Sequence, residues 1–382
     1  MKLNFKKSIK STVTMATVAS FVLLGACTQN NSETSKEAST NNTTTANVDA
    51  TQCDKSYYIQ EYDHQAPHVD AYNFVRAETD LQMKGYSSAP FTFGQLTHGR
   101  KGYDVNHQVT LSGNRDTFYS FGVFDISKSD LTIELPDSKG RYMTLMPISQ
   151  DHDVYNGLNA PGTYTFKQSE VGTRYMVFVV RILVDPNDAK DIKTVHALQD
   201  GIIVKQTDKG DASGLQEWNE DEMIAMRKAF NALGSASSSS SKFFGVKCDN
   251  SYMEKAMGVA VGWGGMQKDD ALYIPTQVEK NDGKTAYTIT VPKDVPVDGF
   301  WSVTIYNQER FMVVNEYDSY AFNSLTTKKN KDGSATLHLG GDPKADNYLY
   351  IPEGWLYIVR FYQPHQEILD GTWKFPEAVE VK

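Results

Sequence analysis

The sequence predicts a mainly β protein with helical insertions: two antiparallel β sandwiches, the second jelly-roll-like, joined by an α-helical segment. Three observations predict it. The 382 residues include 21 Tyr, 18 Phe and 5 Trp at a mean hydropathy of −0.47, the composition of short half-buried strands carrying aromatics rather than of long Leu/Ala helices. Two blocks of short apolar runs punctuated by turn residues lie on either side of a helical stretch,. With 40% hydrophobic and 22% charged residues, the chain can bury a sizeable core, which excludes a disordered, collagenous, coiled-coil or polytopic membrane protein.

Residues 1–26 read as a targeting segment: Lys2, Lys6, Lys7 and Lys10 form a basic start, and Met15 to Leu24 an apolar stretch too short to span a bilayer,. Leu23-Leu24-Gly25-Ala26-Cys27 resembles the lipobox of bacterial lipoproteins, which implies diacylation of Cys27 with chains such as palmitate. Each buried methylene then adds about 0.8 kcal/mol to anchoring. A lipid-anchored cell-envelope protein is the expectation. Thr28, rather than Asp, follows the cysteine, which implies the periplasmic side of the outer membrane if the cell is diderm. Residues 27–52 are the lipidated cysteine and a polar tether with a reach of roughly 25–30 Å.

Removing the four leader lysines from 38 basic residues leaves 34 against 47 acids, a formal −13, which argues against nucleic acid or anionic headgroups as partners. The remaining partners expected are the membrane, through the lipid, and a small-molecule ligand. With Cys27 taken by lipid, Cys53 and Cys248 are left as one pair in an oxidising compartment, and a disulfide between them is expected,.

The body divides into a first sandwich with an N-terminal helix (53–207), a helical and Ser-rich connector (208–268) and a second sandwich (269–382). Residues 68–85 place Val69, Tyr72, Val75 and Leu81 near helical spacing and end in Gly85,. The first block then supplies HQVTLSG, TFYSFGVFDI, LTIELPDSKGRYMTLMPIS, GTYTF, TRYMVFVVRILV and DGIIVKQ as strands, with SKG and NAPG as turns,. In residues 215–234, Trp218, Ile224, Phe230 and Leu233 mark a helix stopped by Gly234, and 251–266 form a shorter one,. AYTITVP, GFWSVTIYN, RFMVVN, ATLHLG, YLYIP and GWLYIVRFYQ complete the second block.

These segments resemble a paired bacterial family, domain of unknown function 1254 followed by domain of unknown function 1214. The first resemblance rests on Gly113-Asn114-Arg115-Asp116-Thr117-Phe118-Tyr119-Ser120, PDSKGRYMTL, NAPGTYTF, RYMVFVVRILV and Leu198-Gln199-Asp200-Gly201. The second rests on DGFWSVTIYN, Asn315, KDGSATLHLG, the run from Gly354 to Pro364, and Gly371-Thr372-Trp373. Together they cover nearly all of residues 68–378. The family's N-W-L-P is replaced by Asn347-Tyr348-Leu349-Tyr350-Ile351-Pro352, and its longer inserts are trimmed. The resemblance implies the two-sandwich fold and brings no biochemical function with it.

Chemistry is sparse in the motifs. Asn114, Arg115, Asp116 and Thr117 read either as a ligand-binding loop at a sandwich rim or as an Asx turn with Arg115 paired to an acid. Asp151, His152 and Asp153 are the candidate general acid, base or catalytic residues, although neighbouring strand side chains point to opposite faces; no metal site is expected. Arg360, on one parity with Leu356, Ile358 and Tyr362, and Arg181 in FVVRILV must each be paired or grip an anion,. Trp301, Trp355 and Trp373 read as packing residues. There is no GxSxG, phosphate-binding loop, dinucleotide fingerprint or paired-Cys motif,, which leaves the reaction class and any cofactor unknown. The leading expectation is a binding or accessory module for a small polar or anionic molecule, using Asn114, Asp116, Tyr119 and Arg360. The alternatives are a hydrolytic or metal-assisted enzyme, and a scaffold in an envelope complex.

Overall fold

The computed structural model describes residues 68–108, 112–237 and 239–382. The leader, the lipobox Cys27, the tether and Cys53 lie outside the described residues. From His68 onward the chain forms α1 (Phe74–Gly85), β1 (Thr97–His98), β2 (Thr117–Asp125), β3 (Leu131–Leu135), β4 (Met143–Ser149), β5 (Leu158–Asn159) and β6 (Gly162–Phe166). Then come α2 (Gln168–Val171), β7 (Tyr175–Leu183), α3 (Ala189–Asp200), β8 (Ile203–Lys205), α4 (Glu220–Ala236) and α5 (Tyr252–Gly262). The last third holds β9 (Ala271–Thr276), β10 (Tyr287–Val291), β11 (Val297–Tyr306), β12 (Ala321–Asn323) and β13 (Ala335–Leu339). It ends with β14 (Tyr348–Leu349), β15 (Leu356–Pro364), α6 (Gln366–Leu369) and β16 (Val379–Glu380).

The protein is mostly β, as expected. A five-stranded sheet in the order β1-β2-β7-β4-β5 covers a three-stranded sheet, β6-β3-β8. Phe118, Phe124, Met143, Leu145, Phe178, Val180 and Ile182 of the larger sheet meet Leu131, Ile133 and Phe166 of the smaller in one core. In the second half, β14-β13-β10-β16 and β12-β11-β15-β9 pair face to face around Trp301, Val303, Leu337, Leu339, Trp355, Tyr357 and Phe361. Both sandwiches follow from period-two alternation.

Strands β4 and β7 are buried at every residue, which alternation over a single core does not explain. Their second faces pack against the second half of the chain. Val123, Met146, Val177 and Val179 share a cluster with Ala271, Phe300 and Tyr362, and the Tyr142 ring lies 5.1 Å from Phe300 and 5.4 Å from Tyr362. The sandwiches thus meet sheet to sheet. At this seam the outward faces of β2, β7 and β4 look toward those of β11, β15 and β9.

Helices α1, α4 and α5 form a separate layer around Phe74, Ala77, Met223, Phe230 and Val259. Here the sequence pattern misassigned faces. Tyr72, Leu81, Ile224 and Leu233 are all exposed, and Gly234 does not end α4 but lies within it, because a β-carbon there would sit 2.6 Å from Val261 Cγ2 on α5. Close helix approach, not termination, is the reason for that glycine. Helix α3, not foreseen, is capped by the Asp188 side chain accepting from Lys190 N–H and buries only Val195 and Gln199, too narrow a stripe to show periodicity. One expected strand did not form. RFMVVN is irregular: the Gln108 amide donates to Met312 O at 2.7 Å and accepts from Met312 N at 2.9 Å, standing in for a partner strand. The described residues of HQVTLSG are likewise non-strand. Conversely β9, which carries Pro275, forms the edge of its sheet, where a missing N–H is tolerated. No helix among the described residues is long and apolar enough to cross a membrane.

Candidate functional site

Two cross-strand rows each bring an arginine into the seam. On the first sandwich, Tyr119 (β2), Arg181 (β7) and Thr144 (β4) are directly opposite one another. On the second, Ser302 (β11), Arg360 (β15) and Tyr273 (β9) repeat the arrangement. Residues paired across strands share a face, so each sheet presents a central arginine flanked by one phenol and one small hydroxyl. Tyr273 links the rows: the residue is 37% exposed, but its hydroxyl end is enclosed, which raises its pKa, and both Arg181 and Arg360 act on that hydroxyl electrostatically.

The loop before β2 enters this seam. Asn114 Oδ1 accepts from Asp116 N at 2.7 Å, closing an Asx turn,, and its Nδ2 donates to Tyr362 Oη at 3.0 Å and Tyr119 Oη at 3.2 Å. Arg115 turns outward to Asp318 at 3.2 Å. Asp116 is buried, with Oδ1 accepting from Asn323 Nδ2 at 2.9 Å. Burial raises its pKa against the opposing pull of Arg360 and Asn323. Arg360 donates to Thr304 Oγ1 and Ser112 O, both at 2.9 Å, and to Tyr306 Oη at 2.5 Å, while Tyr306 Oη donates to Gly113 O at 2.6 Å. An arginine and a tyrosine of the second sandwich therefore hold the 112–116 segment of the first.

The structure thus brings Asn114, Asp116, Tyr119 and Arg360 into one neighbourhood, and it adds Tyr142, Thr144, Ser302, Tyr273 and Tyr362, which the sequence reading did not single out as site residues. Four lie at ordinary strand positions and Tyr142 just before β4, and only pairing across strands and between sandwiches assembles them. Two buried hydroxyls there, Tyr142 Oη and Thr144 Oγ1, have no hydrogen-bond partner among the described residues, while Asp116 Oδ2 and Ser302 Oγ have only each other. Buried polar atoms are normally satisfied, so their concentration in one seam marks a place prepared for a polar guest or for water. Half-buried Tyr119, Phe121 and Tyr86 stack beside it at 5.4 and 4.9 Å between ring centres.

Asp151, His152 and Asp153 do not converge. Asp151 pairs with Arg76, and Asp153 with Lys255, also accepting from Ser149 Oγ at 3.1 Å. His152, at φ 58°, is fully buried and accepts at Nε2 from Gly264 N at 3.0 Å. Burial, with help from Lys255, lowers its pKa to about 3, so the imidazole is neutral, and its Nδ1 has no partner among the described residues. Such a histidine supports a fold rather than cycling a proton at neutral pH. No group of three or more metal-ligating side chains occurs among the described residues. A separate surface depression of about 680 Å³, lined by Glu279, Lys280, Asp282, Gln308 and Glu353, carries solvated carboxylates, and its lysine is paired with Glu380 at 2.7 Å.

Two family models match the chain, each described only as a protein of unknown function: DUF1254 over residues 93–206 and DUF1214 over residues 270–366. They occur in the order the sequence motifs implied, and each matched region falls within one of the two sandwiches, so the seam lies between the matched regions. The chain is similar to the crystal structure of the VPA0106 protein from Vibrio parahaemolyticus, with a TM-score of 0.60 at 17% identity, covering 82% of this chain and 98% of that one. That likeness is one of fold. A weaker similarity, TM-score 0.45 at 11% identity over 81% of this chain and 87% of the other, is to an uncharacterized protein from Burkholderia cenocepacia. No curated protein matches the chain.

Proposed function

We propose that this is a lipid-anchored envelope protein that binds a small polar or anionic molecule in the seam between its sandwiches. The observation that carries the reading is the pair of facing rows, Tyr119–Arg181–Thr144 and Ser302–Arg360–Tyr273, beside an apolar cluster and accompanied by the buried hydroxyls of Tyr142 and Thr144, which have no partner among the described residues. A seam that only joined two domains would be most stable if filled with apolar side chains. Ligand sites combine apolar walls with a few convergent polar groups, often at domain interfaces.

The test is native mass spectrometry and thermal melting of the full-length protein in detergent, against a panel of sugars, amino acids and small organic acids. At least one member raises the melting temperature, and Asn114→Ala removes that response. A panel without effect on melting or mass would refute the reading. The anchor is tested by labelling cells with an alkyne palmitate: Cys27→Ala abolishes incorporation. We also propose the Cys53–Cys248 disulfide. Cys248, at φ 85°, engages a partner, and a two-hydrogen mass gain on reduction checks the bond.

A further inference from the structure

Arg181 differs from the arginines around it. Arg76, Arg100, Arg115, Arg141, Arg174 and Arg227 each touch a carboxylate, and Arg360 lies near Asp116 with three strong acceptors. Arg181 is only 8% exposed, yet no carboxylate among the described residues comes within the 4.0 Å of an ion pair. Its five N–H donors find only Met146 Sδ and Gly264 O, both at 3.4 Å. The acid that senses it, Asp270, is turned onto Gly157 N–H instead.

A buried, uncompensated guanidinium is costly unless an anion completes it, and its fork suits a planar carboxylate bidentately. The surroundings suit the same guest. Tyr142 Oη and Thr144 Oγ1, the latter directly across from Arg181, are buried without partners. The guanidinium lies 5.4 Å over the Tyr119 ring, the end of the stack that continues through Phe121 to Tyr86. Asp116 acts on Arg360, and Asp270 acts on Arg181 without touching it, so the seam has room for no more than a single negative charge on the guest.

We infer that Arg181 anchors a monoanion site for a small organic carboxylate with a flat apolar body: the guanidinium grips the carboxylate, Tyr142 Oη donates to it, and the aromatic stack flanks the body. This rests on the binding reading above and names its ligand class.

The experiment is titration calorimetry of the full-length protein in detergent with benzoate, its neutral analogue benzamide, and inorganic phosphate, on wild type, Arg181→Met and Arg181→Lys. Benzoate binds at least about tenfold more tightly than benzamide, as a charge-assisted bidentate bond requires, and phosphate does not compete. Lysine, lacking the fork, weakens benzoate about tenfold. Methionine abolishes the preference and raises the melting temperature of the ligand-free protein, because it removes an unpaired buried charge; a structural arginine would lower it. Equal affinity for benzoate and benzamide, tighter phosphate binding, or an undiminished benzoate preference in Arg181→Lys would overturn the inference. Binding of neutral probes without benzoate refutes the carboxylate and leaves the binding reading standing, whereas a flat response to these probes and to the wider panel refutes both.

Discussion

Replacing Arg360 by Met tests whether the two sandwiches are held together through a charge. Three bonds are lost, to Thr304 Oγ1, Ser112 O and Tyr306 Oη. Bonds from a charged donor contribute about 1.5–3 kcal/mol each, but they share one side chain and do not add. The larger effect is on what remains: Asp116, 2% exposed, keeps its carboxylate with only the neutral donors Asn323 and Ser302 and no nearby cation to offset it. Removing one side of a contacting buried pair costs about 3–5 kcal/mol; Arg360 acts on Asp116 without direct contact, and with the three lost bonds a total of that order is the expected loss for Arg360→Met in urea denaturation of the full-length protein followed by tryptophan fluorescence. Asp116→Asn in the same chain removes the stranded charge, so the double variant is more stable than the sum of the two singles by about 1–3 kcal/mol. A loss under about 1 kcal/mol, or strict additivity, would show that Asp116 and Arg360 are not energetically coupled.

Further outcomes are expected elsewhere. The lowered His152 pKa means that the unfolded state, titrating near 6.5, takes up a proton the folded state refuses until about pH 3. Stability from this group is therefore complete above pH 6.5 and falls by up to about 1.4 kcal/mol per pH unit as acid is added below it; His152→Gln flattens the fall between pH 6 and 4 in denaturation curves, and an unchanged slope would contradict the assignment. Gly234→Ala loses about 1 kcal/mol in urea, because overpacking against Val261, 2.6 Å from the new methyl, outweighs the gain in helix propensity. Adding Val261→Ala restores it, and failure of that rescue would place the cost elsewhere. Tyr142→Phe leaves unliganded stability within about 0.5 kcal/mol, since its buried hydroxyl has no partner among the described residues,; a loss above about 1 kcal/mol would reveal an unseen bond.

Strand existence was legible because alternation is a local property. TFYSFGVFDI, GFWSVTIYN and GWLYIVRFYQ each expose their own parity, and the parity read for Arg360, shared with Leu356, Ile358 and Tyr362, is the one the second sandwich turns away from its core. The Asx turn at Asn114 and the outward pairing of Arg115 also follow from short-range rules. Helix faces were less legible. The exposed Ile224 and Leu233 match the buried residues in hydrophobicity, and only packing against α1 and α5 decides which side of α4 is covered.

What the sequence alone determined is the mainly β class and the order of its motifs, together with the two lone arginines in apolar strands, each carried within a few residues of chain. What only tertiary structure decided is how those arginines differ. Arg360 is completed by Ser112, Tyr306 and Asp116, two of them from the other half of the chain, whereas Arg181 meets no carboxylate among the described residues. Neighbours dozens to hundreds of residues distant set that difference, through the docking of one sheet on another, and no local pattern encodes which buried charge that docking leaves without a counterion.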